Sequence, residues 1–294
     1  HTADTHLGFD ITKIPQHDPE GRSNRSACIF HNFELTVQHA ITIEADLFIH
    51  SGDLFNKYYI PSDILYELTR PLARLSQKGW EIHVATMTAG DCGSKELSKK
   101  EISEIRKKEA ANAAKIISAS YECLGSEDLY IFYDRPSILR VVAHVRKIRP
   151  QLVLTMSQTD YMLDHEMTGT LVQSACFAGG VVNIHTEGQA PLDYIPHLYY
   201  ADSIDGRDIY GQAVIPTTLV DISTVIDIKT EMLSCHQSQR EWLRQHHGMD
   251  EYILSMKRMS ESRGKLAGVS YAEGFRQHLG HAFPQNNLLL EELG

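Results

Sequence analysis

The sequence is poor in cysteine and has no long apolar stretch. Its five cysteines include no CxxC pair, which argues against a disulfide framework and against a structural zinc knuckle. No apolar run reaches about 18 residues, so we expect no membrane span. No signal peptide is recognisable, and we therefore expect a cytoplasmic protein.

Positive charge is also scarce. The chain has 28 Lys and Arg against 38 Asp and Glu, which gives a net charge of −10. An acidic chain gains nothing from the release of counterions from a phosphate backbone, so nucleic acid is an unexpected partner. We expect a small-molecule substrate instead, and a homo-oligomer stays open.

Strand-like and helical patterns alternate along the chain. Apolar runs at 45–50, 80–87 and 151–155 predict strands, and amphipathic patterns at 62–79 and 99–118 predict helices. Pro71 is expected to kink or split the first of these helices. Further predicted elements are a helix at 137–148, strands at 197–200 and 218–221, and helices at 225–246, 249–262 and 273–278. The alternation predicts an α/β fold with a mostly parallel sheet flanked by helices.

Polar clusters follow three of the predicted strands. They are Asp4–His6, His50–Asp53 and Asp160–His165, and ligands bind at the carboxyl ends of the strands in open α/β sheets. A His and an Asp three positions apart, joined by a distant His, supply two nitrogens and one oxygen, as in catalytic zinc sites. Each residue taken alone also suits a turn, a buried core histidine or a helix N-terminus.

The second and third clusters supply the candidate metal site. We predict that His50, Asp53 and His165 bind Zn²⁺ or another divalent transition metal. Asp164 is the candidate catalytic residue, either as a base or as a group that orients its neighbour His165.

Two further residues are candidates for substrate binding. Asp91 lies between Gly90 and Gly93, where it can line a pocket or form a plain turn. Arg106 lies one helical turn before Glu109, where a surface ion pair is the alternative.

Five segments point to a known family: 84–93, 106–109, 149–150, 160–165 and 236–239. Together they make residues from about 80 to 294 resemble the LmbE/PIG-L family of zinc-dependent de-N-acetylases. The resemblance implies a Rossmann-like fold and hydrolysis of an N-acetyl group on an amino-sugar conjugate. That family begins with an Ala-His-Pro-Asp-Asp motif, which this sequence lacks. His50–Asp53 has the same His-x-x-Asp spacing, and Gly52 stands where the family has its catalytic Asp.

The N-terminal residues point elsewhere. His1–Gly8 and His50–Phe55 make residues 1 to about 79 resemble SbcD-type metallophosphoesterase nucleases, although the Gly-Asn-His motif of that family is absent. The chain therefore looks like a fusion. We expect a poorly integrated, nuclease-like segment at 1–40 and a single de-N-acetylase-like domain at 41–294.

The preferred function is a metal-dependent hydrolase that removes an N-acetyl group from an amino-sugar conjugate. Its activity is expected to be weak or absent, because the usual base is missing. One alternative is a phosphodiesterase or exonuclease that uses Asp4, His6 and Asp53. Another is an inactive chimera that binds only metal or sugar.

Overall fold

The computed structural model describes residues 2–3, 50–51, 65–94, 96–203, 206–240 and 251–294. The chain divides into two compact units, 1–61 and 62–294. In the first unit, the short strands β1 (Thr2–Ala3) and β2 (His50–Ser51) pair in parallel. The proposed division at residue 40 stays a prediction, because the residues around it lie outside the described part.

The second unit alternates helices with strands. Its helices are α1 (Leu65–Gln77), α2 (Lys99–Ile116), α3 (Arg135–Ile148), α4 (Leu163–Ala178), α5 (Ile226–Ser234), α6 (Glu251–Ala267) and α7 (Leu288–Leu293). Its strands are β3 (His83–Thr88), β4 (Ser120–Ser126), β5 (Leu152–Thr155), β6 (His197–Ala201), β7 (Thr218–Asp221) and β8 (Ala272–Gln277). None of the described helices is both long and apolar enough to cross a membrane.

The described strands of this unit form two sheets. Strands β3 and β4 pair in parallel, and a four-stranded sheet has the order β5-β6-β8-β7. Strands β5 and β6 are parallel, whereas β8 runs antiparallel to both of its neighbours. The predicted α/β class is confirmed. A cavity of about 460 Å³ is lined by residues of both β3 and β5.

Capping residues determine where the helices begin and end. Ser98 and Glu101 form a capping box at the start of α2, each side chain accepting the other's backbone N–H. Asp134 caps α3, which ends at Arg149 in a left-handed conformation with φ of 54°. Helix α1 continues through Pro71, so the proline does not split it as the sequence suggested.

The predicted helix at 273–278 is wrong, because residues 273–277 belong to strand β8. Four consecutive residues of β8 are buried, which is typical of a strand covered on both faces. Gly274 permits a close approach: a Cβ there would lie 2.4 Å from Asp202 Oδ2. Local helix propensity therefore loses to pairing with β6 and β7.

The predicted helix at 225–246 is interrupted. Helix α5 ends at Ser234, and the chain is helical again at 237–240. Residues 241–250 lie outside the described part of the chain. The interruption places His236, which is 7% exposed, in the interior.

One core joins the four-stranded sheet to α1, α2 and α7. Tyr199 on β6, Phe275 on β8 and Leu289 on α7 are each 0% exposed within it. The Tyr199 hydroxyl donates to Asn287 Oδ1 (3.0 Å) and accepts from the Leu289 backbone N–H (3.1 Å). This hydroxyl anchors the C-terminal helix to the sheet.

Replacing Tyr199 with Phe is expected to lower the free energy of unfolding by about 1–3 kcal/mol, because the buried Leu289 N–H loses its acceptor. Urea denaturation measures this change. Tyr210→Phe is the matched control, since Tyr210 is 80% exposed and its change should stay within about 0.5 kcal/mol. Equal midpoints for the two variants would contradict the anchoring role.

Candidate active site

The site is built on the connection between β5 and α4. The chain leaves β5 after Thr155, turns through Ser157–Asp160 and enters α4 at Leu163. Asp160 is 1% exposed and His165 is 3% exposed, so both side chains are almost completely removed from water.

A hydrogen bond orients the His165 ring. His165 Nδ1 lies 3.0 Å from Asp160 Oδ1, which also accepts the Met162 backbone N–H at 3.0 Å. A carboxylate oxygen can only accept, so Nδ1 carries the proton, and in the neutral ring Nε2 then has the lone pair. Histidines that bind metals are usually held in this way, by a carboxylate on the other ring nitrogen.

Asp164 is the second buried carboxylate of this connection. Burial raises the pKa of Asp164, the neighbouring His165 lowers it, and the charge of Asp128 raises it further. The effect of Asp128 shows that the segment after β4 lies near the start of α4. The net effect raises the pKa of Asp164 above its usual value.

Asp91 and Asp128 form a second acidic group. Asp91 Oδ1 accepts the Asp128 backbone N–H at 2.8 Å, and Asp128 Oδ2 accepts the Cys92 N–H at 3.3 Å. Among the described residues, only Asp91, Cys92 and Asp128 bring three potential metal-ligand atoms within 4.8 Å of one another. Lys99 lies 3.6 Å from Asp91 and partly neutralises this group. His165 is not part of it.

Arg106 binds the glycine loop that follows β3. Its guanidinium donates to Gly90 O (2.9 Å), to Gly93 O (3.1 Å) and to Gln239 Oε1 (2.6 Å). Glu109, one turn further along α2, accepts the backbone N–H and the hydroxyl of Ser238. Arg106 thus holds the loop that contains Asp91, and a contact with substrate stays a prediction for both residues.

The predicted metal ligands are only partly visible. His165 is buried and oriented as described above, and Asp164 lies beside it at the start of α4. The backbone of His50 belongs to β2, but its side chain and the whole of Asp53 lie outside the described residues. Asp4 and His6, the residues of the nuclease alternative, lie outside them as well.

Sequence reasoning missed the roles of Asp160 and Asp128. Asp160 belongs to the polar cluster Asp160–His165. A carboxylate five residues before a candidate metal ligand can indicate a partner that orients this ligand. Asp128 lies in no recognised motif. Only the fold brings it near Asp91 and Asp164.

Comparison with known proteins finds a family that matches part of the chain. The family described as PIG-L, GlcNAc-PI de-N-acetylase, matches residues 61–176, which include Asp91, Arg106, Asp164 and His165. Residues 61–176 therefore match a de-N-acetylase family. The comparisons do not support a chimeric chain or a nuclease-derived N-terminus.

Two similar proteins are named for different reactions, a hydration and a deacetylation. A 4-oxalmesaconate hydratase of Pseudomonas putida is 25% identical over 189 residues, covering 60% of this chain and 70% of the relative. A diacetylchitobiose deacetylase of Thermococcus kodakarensis is 25% identical over 233 residues, covering 74% of this chain and 79% of the relative.

A solved structure shares the fold. The N,N'-diacetylchitobiose deacetylase of Pyrococcus horikoshii superposes with a TM-score of 0.62 at 22% identity, covering 76% of this chain and 84% of that protein. This likeness confirms the α/β architecture.

The buried His236 predicts a pH dependence of stability. Burial, together with the nearby Arg106 charge, lowers the pKa of His236 to about 4. Between the usual histidine pKa of about 6.5 and this lower value, the unfolded chain binds a proton that the folded chain does not. Stability is therefore fully present above about pH 6.5 and is lost as the pH falls, by up to about 1.4 kcal/mol per pH unit.

Replacing His236 with Gln should flatten this acid limb of the stability profile, measured by urea denaturation at several pH values. His281→Gln, at an exposed histidine, is the control and should keep the slope of the parent. An unchanged slope in the His236 variant would show that another group titrates.

Proposed function

We propose that this protein is a metal-dependent hydrolase that removes the N-acetyl group from an amino-sugar conjugate. The observation that carries the proposal is the buried Asp160–His165 pair, which leaves Nε2 of His165 to bind a metal ion. The match of residues 61–176 to a de-N-acetylase family and the two chitobiose deacetylases support the choice of reaction.

The donors suit Zn²⁺ or another divalent transition metal. Zinc binds imidazole nitrogen and carboxylate oxygen, and His165 presents such a nitrogen. Asp160 Oδ2 is buried and has no hydrogen-bond partner among the described residues, which is typical of a group that serves a charged site. We assign the other two ligands to His50 and Asp53 on the basis of their His-x-x-Asp spacing.

The residues divide the chemistry between them. When bound, the metal ion supplies Lewis-acid polarisation of the amide carbonyl and activation of water. Asp164 takes the proton from the attacking water on a carboxylate oxygen and returns it to the amide nitrogen as the carbon–nitrogen bond breaks. The products are acetate and a primary amine, and Asp160 keeps the His165 ring in place throughout. Asp91 and Arg106 line the neighbouring loop, where we propose that the sugar binds.

Hydration of a carbon–carbon double bond is the second candidate. It is favoured by the hydratase of Pseudomonas putida, a relative that is 25% identical over 189 residues. Zinc-loaded protein should therefore be assayed on an N-acetylglucosamine conjugate, on an unsaturated tricarboxylate of the kind named for that relative and on a phosphodiester. Acetate release from the first alone supports the proposal, water addition to the second supports hydration, and cleavage of the third supports the nuclease alternative.

Replacing His165 with Ala should abolish stoichiometric metal binding, because the oriented nitrogen ligand is lost. Metal content after dialysis against zinc buffer measures this loss. His185→Ala, at an exposed histidine, is the control and should keep its metal. Full metal content in the His165 variant would refute the ligand assignment.

Replacing Asp164 with Asn should lower kcat for deacetylation by about 10²–10⁴-fold, because the proton acceptor is lost. Metal content should stay at the parent level, and so should the melting temperature. A variant that loses metal and activity together would make Asp164 part of the metal's surroundings rather than the base.

A further inference from the structure

Arg276 lies on β8, level with the last residue of β5 in the four-stranded sheet. It pairs with Tyr200 on β6, and Tyr200 pairs with Thr155, the last residue of β5. Its side chain therefore starts at the edge where the Ser157–Asp160 turn begins. Arg276 lies outside residues 61–176, and none of the candidate site residues comes from β8.

Its guanidinium binds both hydroxyls of the turn. Arg276 Nη2 donates to Ser157 Oγ and to Thr159 Oγ1, each at 2.9 Å. A guanidinium has donors only, so both hydroxyl oxygens must accept. The direction of the hydrogen bonds in the turn is thereby determined by the arginine.

The Ser157 hydroxyl makes all three hydrogen bonds that a hydroxyl group can make, two as acceptor and one as donor. Its Oγ accepts from Arg276 and from the Thr159 backbone N–H at 3.2 Å, and it donates to Thr159 O at 3.0 Å. Ser157 is 0% exposed, so water cannot replace a lost partner. Asp160 directly follows Thr159 in the chain, and its Oδ1 holds His165 Nδ1.

We propose that Arg276 is a positioning residue, which fixes the Ser157–Asp160 turn through its two hydroxyls and so holds Asp160 against His165. The inference rests on the proposed function only where it treats His165 as a metal ligand. The orientation of the ring is a property of the metal-free protein and is measured separately.

Arg276→Met removes both hydrogen bonds and keeps an unbranched apolar side chain. The tautomer of His165 is measured in the metal-free protein by nitrogen NMR of the imidazole, at about two pH units above the usual histidine pKa of about 6.5. The parent should show the Nδ1–H form, and the Met variant should show a mixture of both tautomers. Zinc affinity, measured by competition with a chelator, should fall by about threefold to tenfold, at or below the lower end of the 10–100-fold typical of residues that orient ligands.

Two further variants sharpen the test. Arg276→Lys should keep most of the parent tautomer, since a single ammonium can donate to both hydroxyls. Arg140→Met is the matched control: Arg140 donates to the Ser126 hydroxyl on β4, and its loss should leave both readouts unchanged.

A Met variant with the parent tautomer and a zinc affinity within twofold of the parent would overturn the inference. If that variant does not fold, Thr159→Val removes one acceptor without changing β8, and an unshifted tautomer there would overturn the inference equally. A parent that binds no zinc and releases no acetate would refute the proposed function, while the tautomer comparison would still decide the role of Arg276.

Discussion

The hydrogen bond between Asp160 and His165 joins two side chains that water scarcely reaches. A buried carboxylate without partners would be costly, so the connection between β5 and α4 must bring donors to it. The Met162 N–H and the imidazole Nδ1–H meet this need, one just before the helix that begins at Leu163 and one in its first turn. The geometry of the site therefore depends on the geometry of one short turn.

Local patterns were sufficient for most elements of the second unit. Strand β7 and helix α2 follow from apolar periodicity and from the Ser98 cap, which act within a few residues. Strand β8 did not follow, because its Glu, Arg and Gln residues suit a helix. Only pairing with β6 and β7, together with the close approach of Gly274 to Asp202, makes it a strand.

The residues of the candidate site show the same difference between local and long-range information. His165 and Asp164 were predicted from the sequence because they are adjacent and follow a strand, whereas Asp128 comes near Asp164 only through the folded sheet. The roles of His50 and Asp53 rest on spacing alone and stay predictions. Spacing reveals residues that act within one turn of each other, but it carries no information about partners that come from distant strands.

Two arginines show how distant segments hold the loops at this edge. Arg106 donates to Gly90 O and Gly93 O, 16 and 13 residues away, and Arg276 donates to hydroxyls that lie 117 and 119 residues away. Both have a buried Nε without a hydrogen-bond partner among the described residues. Burying this N–H without a partner costs free energy, while the other donors of each guanidinium bind the loop. A loop held by its own residues could form early in folding. The Ser157–Asp160 turn instead receives two of its hydrogen bonds from Arg276 on β8, so its full set of hydrogen bonds exists only when β8 has joined the sheet.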